Sequence, residues 1–192
     1  MRNLLSCVAL AFATVAAVQR VEAADPPDSK ELIAEQRRAM MPLAIFDGTW
    51  RGPATATLDD GRRVELTQTE RVGGFLAGSL KLIEGKGYAH DGSVVFNAFG
   101  VISFSPRTGQ YNFRSHEQGH AGDFAIQVTA NGFMWTVDEG AAKVRYTATV
   151  KDGVWSEIGE RIVDGQPAER IYEMALRRIG NTDWPEAGKS AD

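Results

Sequence analysis

Apolar and polar residues alternate along most of the chain, and this period of two begins at Gly48. The runs "FAIQVTA", "KVRYTATV" and "RIYEMALRR" are rich in β-branched and aromatic residues, and turn signals separate such runs by about eight to twelve residues. The pattern predicts about ten antiparallel strands joined by short hairpins. The predicted turns are "DDG" at 59–61, "GG" at 73–74, "EGKG" at 84–87, "HDG" at 90–92, "SPRTG" at 105–109, "EQGHAG" at 117–122, "ANG" at 130–132, "DEG" at 138–140, "KDG" at 151–153 and "VDG" at 163–165.

A single sheet of that many strands normally closes, because closure removes exposed edges. We therefore predict an all-β fold, a closed up-and-down antiparallel barrel of about ten strands, with a β-sandwich as the alternative.

A short helix is predicted before the first strand. Asp28 or Ser29 can cap it, and Pro42 limits it to about residue 41. Leu32 and Met40 share one side of this helix, as its period requires. The predicted organisation is a flexible leader at 24–29, a barrel domain with its N-terminal helix at 30–179, and a flexible C-terminal tail at 180–192.

The first 23 residues have the pattern of a secretory signal peptide. Arg2 precedes the apolar run "LLSCVALAFATVAAV", and the small residues Val21 and Ala23 suit a cleavage after Ala23. The run is short for a bilayer span, and Arg20 ends it. We therefore expect a periplasmic or secreted protein whose mature chain has no integral membrane span.

Charge and cysteine content exclude several classes of function. Removal of residues 1–23 takes away Arg2, Arg20, Glu22 and the single cysteine, Cys7, and leaves 19 basic and 24 acidic side chains, a net charge of −5. The mature chain therefore has no disulfide and no thiolate catalyst. Nucleic acid is not expected as a partner, because phosphate binding needs clustered lysine and arginine.

The stretch "FDGTWRG" at 46–52 places a tryptophan between two glycines where the helix gives way to the first strand. It resembles the glycine-x-tryptophan signature of the lipocalin-like (calycin) barrels. With "ERVGGFLAG" at 70–78, "NGFMW" at 131–135 and "VWSEIGERIVDGQPAERIYEMALRR" at 154–178, residues 43–179 resemble the bacterial lipocalin-like family called domain of unknown function 1579. The resemblance implies that Trp50 plugs one end of the barrel and that Arg177 or Arg178 packs across its ring by a cation–π contact.

Neither a haem nor a metal ion is predicted. "GTWRG" also resembles the opening of the nitrobindin haem barrels, but the glycine pattern of those barrels fails at Pro53 and Ala54. Haem needs an axial ligand, and the last strand, which carries the histidine in those barrels, has none here. "SHEQGH" at 115–120 contains two histidines and a glutamate but has the features of an exposed hairpin turn. We therefore predict no cofactor.

Polar residues in the inward register of the strands are the candidate site. Gln68 and Glu70 share a register with Val64 and Leu66, and Arg170 and Tyr172 share one with Met174 and Leu176. The register of 154–163 is ambiguous, since Trp155 and Glu157 compete with Val154 and Ser156 for the interior. The predicted ligand-binding residues are Gln68, Glu70, Trp135, Trp155, Glu157, Arg170 and Tyr172.

Two interpretations of Arg170 stay open at this point. A buried guanidinium and carboxylate must pair, so Arg170 can simply neutralise Glu70 or Glu157. Alternatively Arg170 and Tyr172 hold an anionic headgroup, since "RIY" resembles the arginine-x-tyrosine pair of cytoplasmic fatty-acid-binding barrels.

The favoured function is binding of a small, largely apolar or amphipathic molecule, which is anionic if Arg170 and Tyr172 hold its headgroup. Two competing hypotheses are a small-molecule enzyme that uses Glu70, Glu157, Tyr172 and Arg170, and a structural or interaction domain with a filled core. Whether the interior is open or filled separates these hypotheses.

Overall fold

A computed structural model describes residues 28–58, 60–182 and 184. Helix α1 spans Ser29–Met40 and continues as a 3₁₀ helix, Met41–Phe46. Ten strands follow: β1 (Gly48–Thr57), β2 (Arg63–Phe75), β3 (Leu80–Tyr88), β4 (Val94–Ser105), β5 (Gln110–Glu117), β6 (His120–Thr129), β7 (Gly132–Glu139), β8 (Ala142–Lys151), β9 (Val154–Val163) and β10 (Glu169–Gly180). Each strand pairs with the next in antiparallel register and β10 returns to β1. The predicted closed up-and-down barrel with one N-terminal helix is thus confirmed.

Two of the predicted turns are wrong. The glycine pair at 73–74 lies inside β2, and "EGKG" at 84–87 lies inside β3. The chain instead turns between these strands at a short 3₁₀ segment, Leu76–Gly78. Glycine signals a turn from sequence, but a strand also accepts glycine where another side chain must lie against its backbone.

The helical segment covers one end of the barrel, which we call the helix end; the opposite end is the far end. Asp28 caps α1 through the amide of Lys30, as predicted. Met40, Leu43 and Phe46 are buried there in the main apolar cluster. The ring of Phe46 packs edge-on against Trp155, with centroids 4.9 Å apart. Aromatic packing therefore joins the helical segment to the barrel wall.

Trp50 lies in this core and is 1% exposed. Its Nε1 donates to the carbonyl of Phe46 at 2.7 Å, so β1 is tied to the segment that precedes it. Both positions that flank this region of β1 require glycine for steric or conformational reasons. A Cβ on Gly52 would lie 2.1 Å from the carbonyl oxygen of Ala175, and Gly48 has a φ of +133°.

The structure separates the two candidate arginines. Both are exposed, but Arg177 lies opposite Arg51, whereas Arg178 lies opposite Trp50. Arg178 donates from Nε to the carbonyl of Asp47 at 3.0 Å and passes beside Gly48. Within residues 28–58, 60–182 and 184, the arginine placed over an indole is Arg71, 4.9 Å from the ring centre of Trp184, so the expected cation–π contact is not made at Trp50.

Strands β6 and β7 pair along only part of their length. Their register runs from Thr129 opposite Gly132 to Ile126 opposite Trp135, at the helix end. Beyond that point no residue pair joins them, although β6 stays paired with β5 and β7 with β8. The barrel wall therefore has a seam between β6 and β7 that opens toward the far end.

The predicted signal peptide, residues 1–23, lies outside the described residues, as does most of the predicted leader and tail. Thr182 and Trp184 of the tail contact β2, at Gly73 and Phe75 respectively. Of the described residues, none belongs to a helix that is long and apolar enough to cross a membrane.

Candidate functional site

Polar side chains from four strands face the barrel interior between its two ends. Gln68 and Glu70 on β2 lie opposite Gly52 and Trp50 of β1, and they are 1% and 7% exposed. Glu157 on β9 lies opposite the buried residues Ala148 and Met174. This settles the ambiguous register of 154–163, because Trp155 and Glu157 face inward.

Two tyrosines complete the set. Tyr172 of β10 and Tyr146 of β8 both lie opposite Gly159 of β9, and their ring centres are 6.4 Å apart. We call Gln68, Glu70, Glu157, Tyr146 and Tyr172 the interior cluster. Tyr146 was missed in the sequence, although the alternation of "KVRYTATV" places it in register with the buried Val144 and Ala148.

Glycines on the neighbouring strands make room for the interior cluster. A Cβ on Gly85 would lie 2.7 Å from Oε1 of Glu70, and one on Gly87 would lie 3.1 Å from Oε1 of Gln68. A Cβ on Gly159 would lie 2.8 Å from the ring of Tyr146 and 2.9 Å from Cβ of Tyr172, so this glycine makes room for both tyrosines. The alternating glycines of "EGKGY" are thus a signal of inward-facing bulk on β2 rather than of a turn.

The two carboxyl groups are in an environment that disfavours their charge. Burial raises the pKa of Glu157 to about 8. Burial also raises the pKa of Glu70 well above its usual range, with a smaller contribution of the same sign from Glu157. Among the described residues, neither carboxyl group forms an ion pair with lysine, arginine or histidine. Burial therefore favours the protonated form of both carboxyl groups.

Two buried polar atoms near this cluster have no hydrogen-bond partner in the part of the chain that the structure describes. Nε2 of Gln68 donates to Oε1 of Glu70 at 2.7 Å, but Oε1 of Gln68 accepts nothing. Nε1 of Trp155, two residues before Glu157 on the same face, donates to nothing. A buried polar atom without a partner costs about 1–3 kcal/mol, so both atoms indicate a place where another polar group belongs.

Inward-facing side chains toward the far end are less buried than those at the helix end. Tyr146, Glu157 and Tyr172 face inward and yet remain partly accessible to solvent. The residues at the helix end differ, since Trp155 and Leu176 are almost completely buried. The interior cluster therefore lies where a packed core gives way to accessible space.

An aromatic wall connects this space to the seam between β6 and β7. Trp135 stacks on Tyr146, with ring centres 4.8 Å apart, and packs edge-on against Phe113. A cavity of about 570 Å³ lies along the seam, lined by Asp123, Phe124, Ala125, Gln127, Met134, Trp135, Thr136, Val137 and Asp138. Most of its lining residues are in the outward register of β6 and β7, so it is a groove on the outer face of the seam, and the inward-facing Phe124, Trp135 and Val137 form its base.

Arg170 does not belong to the interior cluster, so the prediction that it faces inward beside Tyr172 is wrong. A β-bulge between Arg170 and Tyr172 places Arg170 opposite Glu160, which pairs with Arg145 outside the barrel. Arg170 is exposed and its Nη1 donates to Glu173 at 3.0 Å. The extra residue of a bulge reverses the inward and outward alternation, and the sequence carried no sign of it.

Charged groups of the inward register lie at both ends of the barrel. At the far end, Arg161 pairs with Glu139 at 3.3 Å, and the charge of Glu117 acts on Tyr146. At the helix end the buried Lys81 forms an ion pair with Asp47. Of these residues, Glu117 was noted in the sequence only as part of the "SHEQGH" turn, and Lys81 and Glu139 were not singled out.

Among the described residues, no group of three or more histidine, aspartate or glutamate side chains is arranged to hold a metal ion. His116 is the second-last residue of β5 and His120 begins β6, and both are exposed.

The chain matches no protein-family model and no curated protein. Its fold is similar to that in the crystal structure of Rv2717c from M. tuberculosis, with a TM-score of 0.55 and 14% sequence identity over 77% of this chain and 99% of the other. A likeness at this level of identity concerns the fold alone.

Proposed function

We propose that the barrel binds a small, largely apolar molecule whose polar group meets the interior cluster. The observation that carries this proposal is the pair of unpartnered buried atoms, Gln68 Oε1 and Trp155 Nε1, beside interior side chains that remain accessible. Binding sites of this kind are mainly apolar and contain a few precisely placed polar groups. The aromatic wall at Trp135 and the seam between β6 and β7 supply the apolar surface and a route to it.

The lipocalin-like signature supports the same proposal. "FDGTWRG" opens β1, and Trp50 is buried at the helix end, as the resemblance to the calycin barrels and to domain of unknown function 1579 implies. With the signal-peptide pattern of residues 1–23, we assign the mature protein to the periplasm or the extracellular medium.

The bound group is not an anion held by Arg170, because that guanidinium lies outside the barrel. Two interior carboxyl groups with raised pKa values also oppose a negative charge beside them. The geometry favours a ligand whose polar group is neutral or positive.

Native mass spectrometry of the protein exported by its own host tests these proposals. We expect a chain mass corresponding to residues 24–192 and an additional small-molecule mass that is lost on denaturation. Gln68→Leu should reduce the retained mass, while the exposed control Gln118→Leu should keep it. Wild-type protein without retained mass that also fails to bind apolar amphiphiles would overturn the binding proposal, and a chain mass that includes residues 1–23 would overturn the assigned location.

Acid–base catalysis is the second candidate, and the raised pKa of Glu157 favours it, because catalytic acids commonly have such values. The same spectra distinguish it from binding. A carrier releases its ligand unchanged, whereas an enzyme incubated with the released molecule converts it to a product of different mass.

A further inference from the structure

The interior face carries more carboxyl groups than cationic groups. Glu70 and Glu157 lie deep in the barrel, and Glu117 and Glu139 lie at the far end in the same inward register as Phe113 and Trp135. The cations of this register that the structure describes are already engaged: Arg161 pairs with Glu139, Lys81 pairs with Asp47, and Arg178 donates to the carbonyl of Asp47 and to Asn181. No cation of the described residues is therefore left to neutralise Glu70 or Glu157.

Gln68 adds an acceptor to these carboxyl groups. Its side chain points at Glu70, since Nε2 donates to Oε1 of that residue, and its own Oε1 is buried without a donor. Among the described residues, Oε1 of Gln68 receives no hydrogen bond, Glu70 receives one from Gln68, and Glu157 receives none. A ligand group with several N–H bonds would supply donors to all three.

Aromatic rings border the same position. The charges of Glu157 and Glu70 act on the hydroxyl of Tyr172, so the tyrosine lies near both carboxyl groups. Tyr146 packs against Tyr172, and Trp135 stacks on Tyr146. Ring faces beside carboxylates are the usual environment of a bound organic cation.

We propose that the ligand carries a protonated amine, which donates to Gln68 Oε1 and to the carboxylates of Glu70 and Glu157. This inference rests on the proposed interior binding function and names the chemistry of its polar group. Binding of the cation would favour the ionised carboxylates, so a proton held by the empty site leaves to solvent as the amine enters. The apolar part of the ligand lies along the aromatic wall toward the seam.

Three probes with one eight-carbon tail test the proposal: n-octylamine, n-octanol and nonanoate, titrated into the mature wild-type protein by calorimetry at pH 7. We expect octylamine to bind about tenfold more tightly than octanol, and nonanoate to bind most weakly, because charge-assisted hydrogen bonds are the stronger class. The three probes bury the same apolar surface, so their differences report the polar group.

Two isosteric variants locate the effect. Glu157→Gln and Glu70→Gln should each weaken octylamine by about tenfold and leave octanol within about twofold. The matched control is Glu160→Gln, because Glu160 is on the same strand as Glu157 but faces outward and pairs with Arg145. This control should leave the affinities of all three probes unchanged.

The outcomes separate the two levels of the proposal. Equal affinity for octylamine and octanol would overturn the amine inference and leave an interior apolar site, whereas no binding of any probe would overturn the interior site itself. If the variants did not fold, N-octylacetamide would decide with wild-type protein, since it keeps one N–H donor and lacks the charge. We expect it to bind as weakly as octanol, and affinity equal to that of octylamine would contradict the ionic contact.

Discussion

Single residues of this barrel take their chemistry from the register of the strand that carries them. Glu157 and Glu160 are three positions apart on β9, yet Glu157 faces the interior and Glu160 pairs with Arg145 outside. Gln68 and Glu70 were predicted correctly to face inward, because β2 keeps its alternation from Val64 to Val72. The prediction for Arg170 was wrong, because one bulge in β10 places its side chain on the outer face of the barrel.

At the residue scale, we expect the stability of the protein to fall as the pH rises from about 5 to 8. The pKa of Glu157 is about 8 in the folded protein and has its ordinary value, near 4.5, in the unfolded chain, so the folded state binds more protons in this window. Glu70 acts in the same direction, while Tyr146 and Tyr172, which also face Glu157, keep their protons. The loss due to Glu157 is at most about 1.4 kcal/mol per pH unit.

Urea unfolding at pH 5, 6.5 and 8 measures this dependence. Glu157→Gln should flatten it by removing one titrating group, and Glu160→Gln should not. A pH slope that is the same in wild type and Glu157→Gln would show that Glu157 is not held in its protonated form.

At the scale of elements, the pairing of β6 with β7 is the weak part of the sheet. Residues 123–125 and 136–138 lie beyond the last paired position, Ile126 opposite Trp135. The sequence predicted both strands and the turn at 130–131, but alternation within a strand does not say how far two strands stay paired. Only the assembled barrel shows that they diverge.

We expect the amides of this seam to exchange with solvent faster than those of the fully paired β8 and β9. Amide groups that face the gap lack a partner across it, so they exchange without unfolding of the barrel. Hydrogen exchange read by peptide mass spectrometry compares residues 120–129 and 132–139 with residues 142–163. Equal protection of both regions would mean that the seam is closed in solution.

At the scale of the whole molecule, Trp50 connects the parts that close the barrel. Its Nε1 donates a hydrogen bond to the carbonyl of Phe46, and its ring packs edge-on against Trp155. It lies on β1, which pairs with both β2 and β10. Stability at the helix end therefore depends on one side chain shared by the helical segment and the first, ninth and last strands.

We expect Trp50→Ala to destabilise the protein by about 3–5 kcal/mol, the usual cost of removing a large buried aromatic side chain. The control is Trp184→Ala, since Trp184 packs beside Arg71 and Phe75 rather than in the core. Urea unfolding should show a clearly smaller change for the control. A loss below about 1 kcal/mol for Trp50→Ala would contradict its role at the closed end.

The sequence by itself determined the helix, most of the turns, the ten strands and their closure, because these follow from local periodicity and from the need of a long sheet to cover its edges. It also placed Gln68, Glu70 and Tyr172 in the interior. The tertiary structure decided which face of the sheet Arg170 and Arg178 are on. It also decided which glycines make room for Glu70 and Tyr146, and where the seam beside Trp135 opens. These features depend on the pairing between strands, and a bulge or a lost pair changes that pairing without leaving a sign in the alternating pattern of the sequence.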